Sequence, residues 1–488
     1  MEVQEAVDRS RSAIARHSLS RPLSTAIGDG ILSPGQSVLD YGCGRGKDIA
    51  ELQRLGFSVS GWDPVYRPLT PLTAAVVVNL GYVINVIDDA DERQRTAHEA
   101  WELAQRLLVV SARLVGEANE LVAPRPYRDG YLTSRGTFQK FYEQQELKHW
   151  IDQTLGVSAV PAAPGIFYVF RDEAERSAFL ASRFRRRLVA PRLTPSAALY
   201  EEHELLLQPL MAFVTERGRV PQVGELAEGA RLVELFGSVR RAFAVVERVT
   251  DRGRWAAIAE ERRQDLLVYL ALARFDGRPR FAELGAVLQG DIKGLAGSYA
   301  RACRSADELL LSIGRPELID AACRESPVGK LTPSALYVHE SALEALPVPL
   351  RLFEGCARGY LGRVEGANIV KLHRTEPKVS YLSYPDFDAD PHPALAEALT
   401  VNLRTFSLRV RRYAQYRNPP ILHRKEAFLA ADHPLRAKFA RLTRLEEAKG
   451  LYADSARIGT RDGWAAVLDA AGVACKGHRL VRAARVGA

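Results

Sequence analysis

The chain has 488 residues, 47% hydrophobic and 26% charged, with a net charge of +8. That balance excludes a fibrous or largely disordered chain and describes two to four globular domains. No apolar run approaches ~18 residues, which excludes a helical membrane span. The five cysteines, Cys43, Cys303, Cys323, Cys356 and Cys475, stand without a CxxC pair, so neither a disulfide framework nor a zinc site is expected.

In chain order, the first stretch, Met1-Glu2-Val3-Gln4-Glu5-Ala6, is acidic and lacks an apolar signal core, so a cytoplasmic location is expected. Residues 2–16 have the spacing of a helix, followed by His17-Ser18-Leu19-Ser20-Arg21-Pro22. Val38-Leu39 reads as the end of a buried strand closed by Asp40. Gly42, Gly44 and Gly46 then form a turn in which no Cβ blocks a ligand. Apolar residues at 49, 52 and 55 mark a helix over 47–55 that ends at Gly56. The strand Phe57–Trp62 ends in Asp63, about 20 residues beyond the glycines, where an acid can accept hydrogen bonds from ribose hydroxyls.

The pattern Asp40-x-Gly42-x-Gly44-x-Gly46 with the later Asp63 resembles motifs I and II of the class I S-adenosylmethionine-dependent methyltransferases. The resemblance implies that Asp40, Gly42, Cys43, Gly44 and Gly46 surround the methionine part of S-adenosyl-L-methionine. It implies that Asp63 takes the ribose, with Asn79 also on the cofactor. His17 and Arg21 precede motif I, where many such enzymes fold a segment over the cofactor; a solvated linker is the alternative. NAD in a dinucleotide site is the competing ligand.

Only Pro64–Thr73 separates Asp63 from the next apolar strand, Ala74–Val78. A class I fold places a helix, a strand and another helix there, so its third strand is expected to be reduced or absent. The strand leads into Asn79-Leu80-Gly81-Tyr82-Val83-Ile84-Asn85, where motif IV would face the methyl group. There is no Pro-Pro-aromatic motif of the base amino-methyltransferases there, and no Pro-Cys. Asn79, Tyr82 and Asn85 are the candidate catalytic groups, unless this loop only satisfies its own backbone. A helix is expected over 91–106, a buried strand over 107–112 and a helix over 138–154. The basic, aromatic stretch Arg125–Thr133 reads as a surface loop turning at Asp129-Gly130, or as a phosphate and base contact. Strands at 157–160 and 165–170 complete the domain, the last as an antiparallel edge strand.

From Asp172 to Arg324 the chain is helical and charged. Ser182–Arg187 is a basic run, either a solvated linker or a phosphate contact. The order Gly218-Arg219-x-Pro221, Glu225, Gly237-Ser238 resembles small helical repeats associated with homing endonucleases, which bind DNA; plain helix capping is the simpler alternative. A partial echo follows at Ala296–Ala302, and Leu193–Tyr200 is echoed by Leu331–Tyr337, where Thr-Pro reads as a helix start. Residues 369–373 and 378–384 alternate as a hairpin. Asp386, Asp388, Asp390 and His392 form a Pro-rich loop or a hard-cation site, and Asn418-Pro419-Pro420 is a chance likeness to motif IV. Residues 425–475 read as basic helices.

The whole chain resembles the DNA phosphorothioation-associated methyltransferase family. The resemblance rests on His17-x-x-Ser20-Arg21-Pro22, Leu39–Asp48, Gly81–Ile87, Asp291-Ile292-Lys293, Gly297-Ser298-Tyr299, Ser380–Phe387 and His392–Leu395. It implies an α/β Rossmann-like class I methyltransferase domain over 1–175. A mainly helical region over 176–330, a candidate for DNA binding, and a small α+β region over 331–488 follow. It also implies methyl transfer linked to DNA modification and defence, with DNA and other DNA-modification proteins as partners. The alternatives are a DNA- or protein-binding accessory factor with a vestigial cofactor site, and a methyltransferase for RNA or a small molecule.

Overall fold

The computed structural model describes residues 18–121, 124–186, 200 and 202–483. The expected helix over 2–16, His17, Arg187 and Leu193–Leu199 lie outside the described residues. The chain divides into two units: Met1–Glu173 with Ala357–Glu365, and Ala174–Cys356 with Gly366–Ala488.

The first unit is built on β1 (Ser37–Tyr41), β2 (Ser58–Trp62), β3 (Ala75–Gly81) and β4 (Ala104–Ser111). These four pair in parallel in the order β2-β1-β3-β4. Val38, Leu39, Val77, Val78, Leu80 and Leu107–Val110 are buried on both faces of the sheet, which is why the runs read as continuously apolar. The connecting helices are α1 (Arg21–Gly28), α2 (Lys47–Arg54), α3 (Ala90–Leu103) and α4 (Gln144–Leu155). Asp89 caps α3 by accepting from Glu92 N–H at 2.8 Å, and Ala97 and Ala100 let that helix lie close on the sheet beside Trp101. This is a Rossmann-like α/β unit. Its chain leaves β1 for β2 on one side and returns to β3 on the other, so a crevice opens at the carboxyl ends of these strands. No strand lies outside β2 among the described residues. Between Trp62 and Ala75 there is one isolated bridge, Asp63 to Arg67, and no strand, so the third strand of the class I fold is absent there.

Several local expectations are corrected. Arg125–Thr133 is a hairpin of β5 (Arg125–Tyr127) and β6 (Gly130–Leu132), continued by β7 (Phe138–Gln139). Helix α4 therefore starts at Gln144, not 138, and α3 ends at Leu103, where β4 begins. The final pair is β8 (Val160–Ala163) and β9 (Ile166–Phe170); β9 lies antiparallel to β4 inside the sheet, and β8 is the edge. Both are fully buried, so burial alone gave no sign of which one closes the sheet.

In the second unit the helical echo is a full repeat of element order. Gly218-Arg219-Val220-Pro221 leads to a 3-10 turn at Val223–Glu225, a helix at Gly229–Phe236, Gly237 at φ +80° and the helix Val239–Val249. Gly277-Arg278-Pro279 leads likewise to Phe281–Glu283, Ala286–Ala296, Gly297 at φ +78° and Tyr299–Ser312. Ser238 and Ser298 each cap the second helix, accepting from Arg241 N–H at 3.1 Å and Arg301 N–H at 3.2 Å. The first proline sits one residue later than the second, which hides the repeat in the sequence.

The C-terminal part forms a six-stranded antiparallel meander: β10 (Lys330–Leu331), β11 (Ala335–His339), β12 (Ile369–His373), β13 (Lys378–Ser383), β14 (Glu397–Asn402) and β15 (Leu408–Arg412). The expected 369–384 hairpin is its centre. Thr332-Pro333 does not start a helix. Thr332 Oγ1 closes a turn onto Ala335, and Ala335–His339 pairs along β12, so sheet pairing overrides the local helix signal. The basic tail holds two helices, Arg436–Ala448 and Arg461–Ala470, before the strands Val473–Cys475 and Leu480–Arg482.

Candidate functional site

The glycine turn follows from three residues at positive φ: Gly42 at +81°, Gly44 at +52° and Gly46 at +77°. Gly42 N–H and Cys43 N–H donate to Trp62 O at 2.8 and 3.0 Å, tying the turn to the end of β2. Gly44 N–H donates to Asp63 Oδ2 at 2.9 Å, while Asp63 Oδ1 accepts from Val65 N–H and Tyr66 N–H, each at 2.9 Å. Asp63 is thus the clasp between the two motifs. A Cβ on Gly42 would stand 2.4 Å from Val83 Cγ2, so the turn tolerates no side chain there.

The turn rims a cavity of about 1020 Å³ at the carboxyl ends of β1, β2 and β3. Asp40, Gly42, Cys43, Gly44, Gly46 and Asp63 all line it. Asn79 does not appear on its wall: β3 runs on to Gly81, so Asn79 is a strand residue and not a loop residue. It stands opposite Asp40 in the β1–β3 register, and its Nδ2 donates to Asp40 Oδ1 at 2.8 Å. Tyr82 and Asn85 do face the cavity. Tyr82 sits at φ +59°, rare for a residue with a side chain, and its N–H donates to Ser111 O at 3.0 Å. Asn85 Nδ2 donates to Gln139 Oε1 at 3.1 Å, while Asn85 Oδ1 is buried without a hydrogen-bond partner among the described residues.

Burial, with the charges of Asp40 and Asp63, pushes the Cys43 thiol up to about 12, so it is protonated at neutral pH and is no nucleophile there. Tyr41 Oη donates to Glu99 Oε2 at 2.7 Å; burial first, then Glu99, raises the phenol above its ordinary value. Tyr41, Glu92, Glu99 and Gln139 are cavity residues that sequence reasoning missed. Glu92, Arg95, Thr96 and Glu99 lie at three- and four-residue spacing on α3, a polar stripe that was readable as a helix face.

Other candidates lie elsewhere. Arg21 pairs with Glu365 at 3.0 Å and does not line the cavity. In the β5–β6 hairpin, Arg128 pairs with Asp88 at 3.0 Å, and Asp129 pairs with Arg93 at 2.6 Å and Lys140 at 3.2 Å. Within the second unit, Arg186 is neither a solvated linker residue nor a phosphate contact. It shares the buried Asp265 carboxylate with Arg262 and Arg351, at 2.7, 3.2 and 2.8 Å. Lys425 Nζ donates to Phe387 O at 2.5 Å and Asp390 O at 2.6 Å, so the Lys425 amino group, lowered by burial to about 7, fills the Asp386–Asp390 loop. His392 Nε2 meets Glu446 Oε1 at 2.8 Å, with Cys475 Sγ 3.9 Å away; Tyr452 Oη donates to the other Glu446 oxygen at 2.5 Å. Asn418 Oδ1 accepts from Asp462 N–H at 2.9 Å, a structural role consistent with a chance motif.

No family model matches the sequence, and no curated protein matches it. Among solved structures, a 1,6-didemethyltoxoflavin N1-methyltransferase of Burkholderia thailandensis, with bound 1,6-didemethyltoxoflavin and S-adenosylhomocysteine, is 15% identical at a TM-score of 0.24. The alignment covers 31% of this chain and 76% of that one. The magnesium protoporphyrin IX methyltransferase of Synechocystis PCC 6803, with bound S-adenosylhomocysteine, is 17% identical at 0.23, covering 31% and 80%. An O-methyltransferase family protein of Burkholderia thailandensis is 16% identical at 0.21, covering 30% and 56%. Likeness at this level carries no part of the functional reading.

Proposed function

We propose that the first unit is an S-adenosyl-L-methionine-dependent methyltransferase. The observation that carries the proposal is the clasp of Asp63 on the Gly42–Gly46 turn at the mouth of the strand-end cavity. The cavity's charge supports this cofactor over NAD. Asp40, Asp48, Asp63, Glu92, Glu99 and Glu117 line it against Arg45, Lys47, Arg95 and Arg113. That excess of carboxylates suits a ligand carrying a sulfonium and an ammonium, and repels a pyrophosphate. Asp48, in the first turn of α2, already sets a negative charge at the helix end where a pyrophosphate would bind.

When bound, the cofactor supplies an electrophilic methyl group. The chain's part is alignment. Asp63 accepts from ribose hydroxyls, and Asp40, held by Asn79, backs the glycine turn. Tyr82, Asn85 and Gln139 line the space where a nucleophile approaches.

We take DNA as the acceptor class and a link to DNA phosphorothioation as the setting; both rest on the sequence resemblance. The competing reading, a binding module with a vestigial site, draws on one observation: both Asp63 oxygens already accept from backbone amides. Incubation with methyl-labelled cofactor and genomic DNA, with and without phosphorothioate, tests the proposal. Label on DNA that vanishes in Asp40→Ala and Asp63→Ala is the expected result. Tight cofactor binding with no label on any DNA would leave the binding module standing.

A further inference from the structure

The second unit holds a cleft of about 950 Å³ that the function above does not use. Its floor is one face of the antiparallel meander. Val370, Leu372, Val379, Leu399 and Val401 point to the opposite, buried face, so the alternate positions point into the cleft. In strand register, Lys330 stands opposite Tyr337, Tyr337 opposite Lys371, Lys371 opposite Ser380, Ser380 opposite Thr400, and Thr400 opposite Arg409. One residue from each of six strands thus makes a continuous row. At ~4.8 Å per strand the row is about 24 Å long.

The row is strongly and singly charged. Lys330, Lys371, Lys378, Arg409, Arg411 and Arg424 line the cleft, and no Asp or Glu does. Lys378 and Arg424 pair with carboxylates outside it, Glu376 at 3.0 Å and Glu447 at 3.1 Å. Lys330, Lys371 and Arg409 make no ion pair among the described residues. Lys371 Nζ lies 5.3 Å from the Tyr337 ring centre, and Lys330 Nζ 5.5 Å from that of Phe428. The positive field has local consequences. Burial and the neighbouring Arg424 hold the Lys330 ammonium below its ordinary value, and burial with Lys371 and Lys378 lowers His373 to about 4.

A merely solvated basic face would not recess its polar floor. Here Ser380 is 4% exposed, and its Oγ bonds Thr400 Oγ1 at 2.8 Å and His373 Nε2 at 3.2 Å. Cations at both ends and the middle of the row, hydroxyls between them and the rings of Tyr337, Tyr413 and Tyr452 on the walls match a polymer of phosphates and bases. A lone anion needs one or two cations, not a row of this length.

We propose that this cleft binds a single nucleic-acid strand, with Lys330, Lys371 and Arg409 on its phosphates and the tyrosine rings against its bases. The inference rests on the nucleic-acid reading of the function above. Its test reads binding and not methyl transfer, so either can fail without the other.

The probe is a fluorescein-labelled single-stranded 20-mer, as DNA and as RNA, followed by anisotropy with the full chain from low to moderate salt. The Lys371→Glu/Arg409→Glu variant should bind both at least tenfold more weakly. Its slope of log K against log salt should flatten by about 1.4, two contacts at ~0.7 each. Whichever polymer binds more tightly identifies the strand. An unchanged melting temperature and unchanged S-adenosylhomocysteine affinity show the variant to be folded; should it not fold, Lys371→Gln/Arg409→Gln takes its place. Unchanged oligonucleotide affinity overturns the proposal. So does full release of the strand by millimolar inorganic phosphate, which would make this a small-anion site, or binding of duplex alone.

Discussion

Replacing Asp63 by Asn separates a turn brace from a ligand contact. The carboxylate now serves three backbone amides at 2.9 Å, Gly44 on one oxygen and Val65 and Tyr66 on the other. Asn keeps one carbonyl oxygen for Val65 and Tyr66 and turns an amino group toward Gly44 N–H, a donor against a donor. One charge-assisted hydrogen bond of about 1.5–3 kcal/mol is lost. Asp63 is part-exposed, so water replaces some of it and the fold loses about 1–2 kcal/mol. If the carboxylate also takes the ribose hydroxyls, a second charge-assisted contact goes with the ligand. That is a further 1.5–3 kcal/mol, or about 10- to 100-fold in Kd. Calorimetric titration with S-adenosylhomocysteine measures the second effect, and a thermal melt measures the first. A lowered Tm with Kd within twofold of the parent would refute the ribose assignment and leave Asp63 as a brace alone.

Three further perturbations follow from the same structure. Gly42→Ala forces a side chain into φ +81° and 2.4 Å from Val83 Cγ2; about 1–2 kcal/mol of backbone strain and 1–3 kcal/mol of overpacking should appear in urea unfolding, and adding Val83→Ala should restore only the second part. No loss in the single variant would mean that the turn is not held as described. Asp265→Ala removes the carboxylate shared by Arg186, Arg262 and Arg351 and should cost about 3–5 kcal/mol, since buried guanidinium groups are left without it; a Tm shift of under 2 °C, roughly what a surface change gives, would contradict that burial. His339, His373 and His423 are held by burial at about 4, 4 and 3, against 6.5 when unfolded. Unfolding therefore takes up protons below pH 6.5, and stability is lost as pH falls from 6.5 toward 4. Melts across that window should show a steady decline in Tm, and a flat profile from pH 7 to 5 would place these rings in water.

The part of the site made by neighbours in the chain was legible. Three glycines at alternate positions between a strand and a helix permit a turn in left-handed conformations, and an acid at the next strand end marks the partner of that turn. The short stretch from Pro64 to Thr73 leaves no room for a helix, a strand and another helix, and no strand is there. What joins distant residues was not legible. Asn79 belongs under Asp40 because β1 and β3 pair in one particular register, and no pattern in Asn79–Asn85 announces that. Asn85 meets Gln139 across 54 residues, and Tyr41 meets Glu99 across 58. Arg186 lies in a run that the sequence reads as a solvated linker or a phosphate contact, and its partner Asp265 is 79 residues away.

By itself, then, the amino-acid sequence determined where the backbone must turn and which runs are buried, because steric limits on φ and hydrophobic period act over a few residues. Tertiary structure alone decided which charges are spent on one another and which stay open. The Arg183–Arg187 run, conspicuous in the sequence, has Arg185 and Arg186 paired with Glu216 and Asp265. The open cations, Lys330, Lys371 and Arg409, come from three separate strands. They form one surface only because antiparallel pairing stacks alternate residues of each strand on the same face.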